Sequence, residues 1–359
     1  MFEEPFFNYS GARISLTIPF KQIKFVNLNR VKSLKTLVTG ATGFIGSHLV
    51  EALLQRGDQV RCLIRNTEDL KWLKRLPIEV FPGNCNDMTS LQGAVKGVDQ
   101  VFHLAGITKA VEDTTYFEVN TFGTENLIHA CLTHNPHLQK FIYVSSQAAS
   151  GPCEDGAEKK ESDECKPISP YGQSKRMAED LALAHARELP LVILRPPTVY
   201  GPRDRDFYTF FRLLSKRIKP CLLGQEQHIS LCYVQDIVKA ILLASETQKS
   251  EGEIFFLSDG QDYRIEEIGD ILAEAMRITP ICIRVPEWLI FGMASLSEYF
   301  SKMSGKPSIL NKGKVEEMVQ KNWVCDIMKA KTVLGFEPTV SLREGARLTY
   351  EWYKKENWL

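Results

Sequence analysis

A tyrosine and a lysine four residues apart, Tyr171 and Lys175 in the segment SPYGQSK, form a pair whose types and spacing could do chemistry. On a helix, residues i and i+4 lie on one face, so the two side chains would point the same way. A nearby ammonium group favours the phenolate and lowers the pKa of a tyrosine, as proton transfer near neutral pH requires. Because tyrosine and lysine are common on helix faces, the pair needs support from elsewhere in the sequence.

Two serines supply that support. Ser145 and Ser146 end the apolar run KFIYVSS (140–146), which is predicted to be a strand. Open α/β sheets place their ligands at the carboxyl ends of such strands. We therefore expect hydroxyl groups beside the site that Tyr171 and Lys175 would serve.

Three glycines stand where another apolar run, LKTLVTGATGFIGSHLVEAL, turns into a helix. Gly40 permits a sharp turn, Gly43 lets the backbone approach a pyrophosphate, and Gly46 lets helix and strand pack closely. The free N–H groups and dipole of the helix N-terminus would then face the phosphates. The alternative is an ordinary strand-to-helix turn, but the strand before it and the helix after it favour a dinucleotide site.

The strand QVRCLI (59–64) is expected to end beside the adenosine ribose of that dinucleotide. An acidic residue there would bind the free 2′-hydroxyl of NAD, but the sequence continues with Arg65 and has no carboxylate before Glu68. Arg65 facing a 2′-phosphate would favour NADP over NAD. A solvated loop arginine is the other interpretation.

The elements that must position these residues alternate along the first 200 residues. Short, nearly all-apolar strands fit a parallel sheet that is covered on both faces. The fold class predicted is α/β, a Rossmann-type doubly wound parallel sheet with a smaller C-terminal α/β substrate lobe. Strands are predicted at 35–39, 59–64, 78–83, 99–106, 140–146 and 191–196, and helices at 44–56, 70–76, 89–96, 115–134 and 170–189.

Beyond residue 200 the alternation stops, which suggests a change of organisation. We interpret 1–34 as an N-terminal extension, either loose or the product of an over-long gene model. Residues 35–200 form the NAD(P)-binding domain, with 234–258 returning to it, and 201–359 form mainly the substrate-binding lobe. Helices are predicted at 206–217, 235–246, 264–276 and 286–303.

Two segments of the second half carry expectations of their own. The run VPEWLIFGMASLSEYF (285–300) reads most simply as an amphipathic helix that packs on the core. The alternatives are that the run lines a site for an apolar substrate or that it contacts a membrane surface. The run is too short to cross a bilayer. The segment NKGKVEEM (311–318) reads as a solvated helix face.

Composition narrows the function classes. Lysine plus arginine and aspartate plus glutamate each number 44 in 359 residues, which leaves no basic field for nucleic acid. No apolar stretch is long enough for a transmembrane segment. The nine scattered cysteines lack Cys-x-x-Cys spacing and the seven histidines form no ligand pair, so we expect a reduced, cytoplasmic protein without a metal site.

The order of motifs resembles an extended short-chain dehydrogenase/reductase of the NAD-dependent epimerase/dehydratase group. The resemblance covers most of 35–340 and rests on TGATGFIG (39–46), HLAG (103–106), VNTFGTENLI (119–128), YVSS (143–146), YGQSK (171–175), LRPPTVYGPRD (194–204), YVQDIVKAILLA (233–244) and LGFEP (334–338).

The resemblance implies a Ser–Tyr–Lys triad. Ser146 would hydrogen-bond the substrate oxygen, Tyr171 would act as general acid/base, and Lys175 would lower the pKa of Tyr171 and hold the nicotinamide ribose. His103 would line the cofactor, although a buried histidine with backbone partners is the simpler interpretation. The implied cofactor-binding residues are Gly40, Thr42, Gly43, Phe44, Ile45, Gly46, Arg65, Asn84, Leu104, Ala105, Gly106, Asn120, Tyr171, Lys175 and Pro196.

Departures from the family pattern argue against a dehydratase and weaken the case for a substrate that carries a diphosphate. Gln147 and Ala148 stand where sugar-nucleotide dehydratases usually carry Asp-Glu, and Ile229 stands where nucleotide-sugar enzymes tend to carry an arginine for the substrate phosphates. Asn84 replaces an aspartate that holds the adenine amino group in many relatives, and its carbonyl could accept the same bond.

We therefore expect an NAD(P)-dependent oxidoreductase that interconverts an alcohol and a carbonyl on a small-molecule substrate of apolar character. A nucleotide-sugar epimerase is the alternative, and a non-catalytic cofactor-bound scaffold is a third possibility that the intact triad argues against. A homodimer remains open.

Overall fold

Seven parallel strands form the central sheet of the protein, described here from a computed structural model that covers residues 33–65, 70, 72–154, 156–224, 226–308 and 310–359. The interpretation of 1–34 therefore falls almost wholly outside the described residues. Six strands are β1 (Lys35–Thr39), β2 (Gln59–Ile64), β3 (Glu79–Pro82), β4 (Gln100–His103), β5 (Lys140–Val144) and β6 (Leu191–Arg195).

The order of the sheet places the site. A seventh strand, β11 (Ile254–Phe256), pairs with β6, and the order across the sheet is β11-β6-β5-β4-β1-β2-β3. All the strand pairs are parallel. The chain moves outward from β1 in both directions, so a crevice opens at the carboxyl ends of β1 and β4, where such sheets hold their ligands. The predicted doubly wound Rossmann-type fold is confirmed.

Helices cover both faces of this sheet because the strands are buried on both sides. In the first 200 residues these are α1 (Phe44–Gln55), α2 (Met88–Val95), α3 (Thr114–Tyr116), α4 (Gly123–His134) and α5 (Pro170–Ala184). A π-helical turn over Phe117–Phe122 joins α3 to α4. One apolar cluster packs α1 against β1, β2 and β4, and a second packs α2, α4 and α5 against the opposite face.

The segment 70–76, predicted to be helical, forms hydrogen-bonded turns in its described residues. Leu73 N–H and Lys74 N–H both donate to the carbonyl of Leu70, and the pattern does not propagate into a helix. Seven residues followed by Pro77 give too few bonds to offset the cost of nucleating a helix.

The described part of the second half is built from short strands and the helices α6 (Asp206–Ser215), α7 (Val234–Glu246), α8 (Ile265–Met276), α9 (Glu287–Ser304), α10 (Lys312–Met318) and α11 (Leu342–Lys355). Its strands are β7 (Thr198–Tyr200), β8 (Ile218–Leu222), β9 (His228–Ile229), β10 (Leu231–Tyr233), β12 (Tyr263–Arg264), β13 (Ile281–Val285) and β14 (Asn322–Trp323).

These strands form three small sheets, with the orders β10-β7, β12-β9-β14 and β13-β8. A third apolar cluster, rich in tyrosine, phenylalanine and tryptophan, joins α6, α8 and α11. Leu34–Leu359 forms one compact unit, and the division at residue 200 stays a prediction.

Candidate active site

A cavity of about 1220 Å³ opens at the carboxyl edge of the central sheet. The glycine turn after β1 forms one end, and the ends of β4, β5 and β6 form its floor. Segments of the second half form the opposite wall. The ligand crevice that the strand order predicts is therefore a real space in the structure.

Tyr171 and Lys175 both lie on the cavity-facing side of α5. Ser169 caps this helix by accepting a hydrogen bond from the Gly172 N–H at 3.0 Å, and Pro170 occupies the first turn, so Tyr171 enters the helix at a fixed position. The Lys175 ammonium donates to the carbonyl of Val144 at 2.9 Å and lies 4.4 Å from the ring centroid of Tyr143. The end of β5 thus holds Lys175 in place.

Burial dominates the ionisation of this pair. Loss of solvation raises the pKa of Tyr171 to about 12, while a hydrogen bond from the Ser146 side chain acts in the opposite direction. Burial also lowers the pKa of Lys175 to about 7, and Glu179 opposes that change. The Tyr171 pKa therefore changes in the direction opposite to the one expected, because desolvation of the phenolate outweighs the hydrogen bond from Ser146.

Ser146 follows β5 and faces the same cavity. Its Oγ accepts a hydrogen bond from the Ala148 N–H at 3.2 Å, and this leaves the hydroxyl proton for another partner. Of the two serines at this strand end, Ser145 also lines the cavity, and its buried hydroxyl has no hydrogen-bond partner among the described residues.

The backbone geometry of the turn after β1 requires glycine at two positions. Gly40 has φ +72°, and a Cβ there would lie 2.6 Å from the carbonyl carbon of Leu104. A Cβ on Gly46 would lie 2.1 Å from the Gly40 oxygen. Two of the three glycines are therefore needed for the close approach of α1, β1 and β4, whether or not a ligand is bound.

The same turn fits a dinucleotide pyrophosphate. Gly43 is the N-cap of α1 and brings no side-chain acceptor, and the first turn contains no acidic residue. The first helical bond runs from the Ser47 N–H to Gly43, so the amides of Phe44, Ile45 and Gly46 have no acceptor within the helix. All three residues line the cavity, where an anion would meet these N–H groups and the positive end of the helix dipole.

His103 lies at the end of β4 in a chain of hydroxyl groups. Its Nδ1 is 2.7 Å from Thr39 Oγ1 and its Nε2 is 2.8 Å from Thr124 Oγ1. Thr124 already donates to the carbonyl of Asn120, so its oxygen accepts from Nε2–H and Thr39 donates to Nδ1. Burial lowers the pKa of His103 to about 3, so this histidine stays neutral and holds β4 in place.

Asn120 acts on the loop after β4. Its Oδ1 accepts from the Ile107 N–H at 2.8 Å, and its Nδ2 donates to the Ile107 carbonyl at 3.1 Å and to Ser174 Oγ at 3.0 Å. Asn120 is buried and joins this loop to α5, so it positions both, and its contact with a cofactor stays a prediction.

The remaining predicted residues divide into two groups. Thr42, Leu104, Gly106 and Pro196 lie on the cavity wall. Arg65, Asn84 and Ala105 are not on it, although Arg65 and Asn84 follow adjacent strands at the same sheet edge. The side-chain oxygen of Asn84, expected to accept from an adenine, accepts a hydrogen bond from the Asn86 N–H at 2.8 Å, and the adenine contact stays a prediction.

The wall from the second half was missed by sequence reasoning. Residues 311–318, expected to be a solvated helix face, line the cavity as α10. Glu317 accepts a hydrogen bond from Ser169 Oγ, and Asn311 Nδ2 donates to Tyr116 Oη at 3.3 Å. Asn311 signals a helix N-cap in the sequence, but no local feature shows where that helix docks.

The sheet is parallel and doubly wound, and at its crevice a glycine-rich turn leads into a helix that has no side-chain cap. These features define a Rossmann-type dinucleotide-binding protein. The chain belongs to the NAD dependent epimerase/dehydratase family, whose model matches residues 36–258.

Relatives in this family differ in reaction. The chain is 29% identical to a ceramide reductase of Caulobacter vibrioides over 90% of its length and 95% of the relative. It is 31% identical to a UDP-glucose 4-epimerase of Vibrio cholerae over 89% of its length and 96% of the relative. The structure of a Thermus thermophilus UDP-glucose 4-epimerase in complex with NAD matches with a TM-score of 0.72 at 26% identity, over 89% of this chain and 99% of that one.

Membership of this family makes the protein an NAD-dependent oxidoreductase or epimerase in the broad sense. Among the described residues, no group of three His, Cys, Asp or Glu side chains is placed to hold a metal ion. No helix in that part of the chain is long and apolar enough to cross a membrane.

Proposed function

We propose that the chain is an NAD(P)-dependent dehydrogenase/reductase that interconverts an alcohol and a carbonyl compound at Ser146, Tyr171 and Lys175. The observation that carries this proposal is the shared cavity. The N-terminus of α1, which has no side-chain cap, and all three side chains line this one cavity at the carboxyl edge of the sheet. A nicotinamide dinucleotide bound there would supply or accept the hydride.

The protein's own groups would handle the proton and the substrate oxygen. Ser146 Oγ accepts from the Ala148 N–H, so its hydroxyl proton, which is within reach of Tyr171, could be donated to that oxygen. Tyr171, with its pKa raised to about 12, keeps its proton at neutral pH and is suited to donate it to a carbonyl that becomes an alcohol. Lys175, with its pKa near 7, could return a proton to the phenolate. These properties support reduction as the forward direction.

The opposite wall supports an apolar substrate. Ile229 on β9 and Trp323 on β14 lie on paired strands, and both line the cavity. Four of the seven lysine and arginine side chains on the cavity wall pair with carboxylates, which leaves fewer cations for a substrate that carries a diphosphate. These pairs are Lys109–Asp206, Arg203–Glu51, Lys302–Glu112 and Lys314–Glu317.

A nucleotide-sugar epimerase is the second candidate, supported by the likeness to the Vibrio cholerae UDP-glucose 4-epimerase. The two functions differ in a measurable way. A reductase releases oxidised cofactor and turns over with added NADPH or NADH, whereas an epimerase keeps its cofactor and shows no net redox change.

The test is a screen of purified full-length protein against ketones of increasing chain length and against UDP-sugars. The proposal predicts oxidation of the reduced cofactor, followed at 340 nm, with the apolar ketones. Interconversion of UDP-sugars with no net oxidation of added cofactor would contradict it and favour the epimerase.

Cofactor choice forms part of the proposal, with Arg65 at the end of β2 favouring NADP. Replacing Arg65 with Ala should weaken NADPH binding by about tenfold, since one charge-assisted contact to a phosphate is lost, and should leave NADH binding nearly unchanged. Fluorescence titration of both cofactors measures this, with Arg75→Ala, an exposed residue of the nearby turn, as the matched control. An equal effect on NADH and NADPH would remove the argument for NADP.

We also place the protein in the reducing cytoplasm. All nine cysteines are free thiols, and seven of the nine have a pKa raised by burial, as expected for small apolar side chains.

A further inference from the structure

Helix α9 carries its apolar side chains on the side that faces solvent. Trp288 is 73% exposed, Tyr299 is 62% exposed and Met303 is 70% exposed. With 100° between successive residues, all seven exposed apolar side chains fall within an arc of about 140°. We call this set the apolar stripe, and it comprises Trp288, Leu289, Met293, Leu296, Tyr299, Phe300 and Met303.

The inner side of α9 is the more polar one. Ala294 and Ser301 are its buried residues, and Glu298 accepts a hydrogen bond from the Lys312 N–H at 2.6 Å. The sequence favoured a helix that packs its apolar face on the core, and the structure shows the reverse orientation. Burial of seven large apolar side chains would be worth several kcal/mol, so their exposure requires an explanation.

Strand β13, which leads through Pro286 into α9, extends the exposed apolar surface. Ile281 and Ile283 are both exposed. In the parallel pairing with β8 they lie opposite Ile218 and Pro220, so one face of this two-stranded ribbon is apolar.

The exposed charges on the segment that carries the stripe are all positive, although the exposed Glu112 of another segment pairs with Lys302 at 3.8 Å. Within 277–308 the exposed ionised side chains are Arg277, Arg284, Lys302 and Lys306, while the two carboxylates of this range, Glu287 and Glu298, are partly buried. Arg284 stands before the helix, and Lys302 and Lys306 stand at its end. Cations therefore flank the stripe at both ends.

We propose that α9 and β13 form a docking surface for an anionic lipid bilayer. Large apolar and aromatic side chains on one face of a helix with flanking cations are the features of helices that lie in the membrane interface. The acyl region would take the apolar stripe, and the lipid phosphates would take the arginine and lysine side chains.

The charge pattern favours this occupant over a second copy of the chain. A symmetric dimer through the same surface would bring Arg277, Arg284 and Lys306 of one copy close to the same cations of the other, which costs free energy. The inner side of α9 also contributes Glu298 and Ser301 to the cavity wall, so docking would place the cavity next to the lipid.

The test is flotation of the full-length protein with phosphatidylcholine vesicles that contain or lack phosphatidylserine. The wild-type protein is expected to float with the anionic vesicles and to dissociate as salt is raised. The double variant Trp288→Ser, Phe300→Ser should bind at least about tenfold more weakly, because two large apolar anchors are lost. Arg284→Glu with Lys306→Glu should weaken binding to anionic vesicles by about tenfold as well.

Matched controls use apolar residues exposed elsewhere. Met177→Ser with Met328→Ser removes comparable side chains outside α9 and should leave flotation unchanged. Thermal melting confirms that each variant folds. Absence of flotation at low salt, or unchanged flotation in the Trp288 and Phe300 double variant, overturns the proposal. The lipid assignment is also overturned if the wild-type protein is a dimer that does not bind vesicles and the Trp288 and Phe300 double variant is a monomer.

Discussion

At the scale of single residues, burial rather than charge sets the chemistry of the cavity. Tyr171, Lys175 and His103 each have a pKa that is displaced toward the neutral form, and loss of solvation is the largest cause in all three. A buried tyrosine near a buried lysine therefore starts as a phenol that can give up a proton. Such displaced values are typical of functional sites.

His103 offers a direct test of this view through the pH dependence of stability. Its folded pKa is about 3, below the ordinary histidine pKa of 6.5, so between these values the unfolded chain binds a proton that the folded chain does not. The contribution of His103 to stability is therefore full above pH 6.5 and is lost as the pH falls toward 3, by up to about 1.4 kcal/mol per pH unit.

Urea unfolding of wild type and His103→Gln from pH 7.5 to 4.5 measures this contribution. The difference in unfolding free energy between the two proteins should shrink as the pH falls below 6.5, and effects of other groups cancel in that difference. The exposed His137→Gln is the control and should track wild type. A difference that stays constant with pH would show that His103 is not held neutral.

At the scale of elements, α5 is the helix on which the site depends. It carries Tyr171 and Lys175 on one side, and one turn later Glu179 forms a buried ion pair with Arg195 at the end of β6. Arg195 Nε donates to Glu179 Oε1 at 3.0 Å and Nη2 donates to Oε2 at 2.6 Å. This pair fixes α5 against the sheet directly beneath the catalytic candidates.

Removing Glu179 should therefore be costly. Glu179→Ala leaves the Arg195 guanidinium buried without its carboxylate and should destabilise the fold by about 3–5 kcal/mol. The matched control lies on the same helix. Asp180→Ala breaks the exposed pair with Arg176 and should cost less than about 1 kcal/mol, as measured by urea unfolding. Equal losses in the two variants would mean that burial of the first pair has no energetic effect.

The glycine turn makes a second prediction at this scale. Gly46→Ala puts a Cβ into the Gly40 carbonyl, so we expect a loss of about 1–3 kcal/mol in stability and loss of dinucleotide binding. Gly292→Ala in α9 has no atom within 4 Å of the new Cβ and should be neutral or stabilising by up to about 1 kcal/mol. Calorimetry with and without cofactor compares them. Tolerance of Ala at 46 would contradict the close approach of α1 to β1.

At the scale of the whole molecule, helices of both halves could be predicted from sequence, but the way the helices of the second half pack could not. Ser169 and Pro170 predict where α5 begins, and the triplet at 40, 43 and 46 predicts the turn, because these signals are local. The placement of α10 beside Ser169 and the outward apolar face of α9 depend on contacts between distant segments, which no local pattern encodes.

The same distinction applies within the site. Spacing alone put Tyr171 and Lys175 on one helix face, but the direction of their pKa changes depends on burial in the folded protein. The hydrogen bonds of two asparagines were likewise not predictable. The side-chain amide of Asn120 bonds to Ile107 and Ser174, and that of Asn84 bonds to Asn86.

The most direct test of the central claim is to measure turnover and dinucleotide binding in Tyr171→Phe, the variant that removes one hydroxyl group. We predict a loss of turnover by about 10²–10⁴-fold, since the proton donor is gone, with nearly unchanged binding in a fluorescence titration. Full activity in Tyr171→Phe would contradict the assignment of Tyr171 as the proton donor, and absence of dinucleotide binding in the wild type would contradict the site itself.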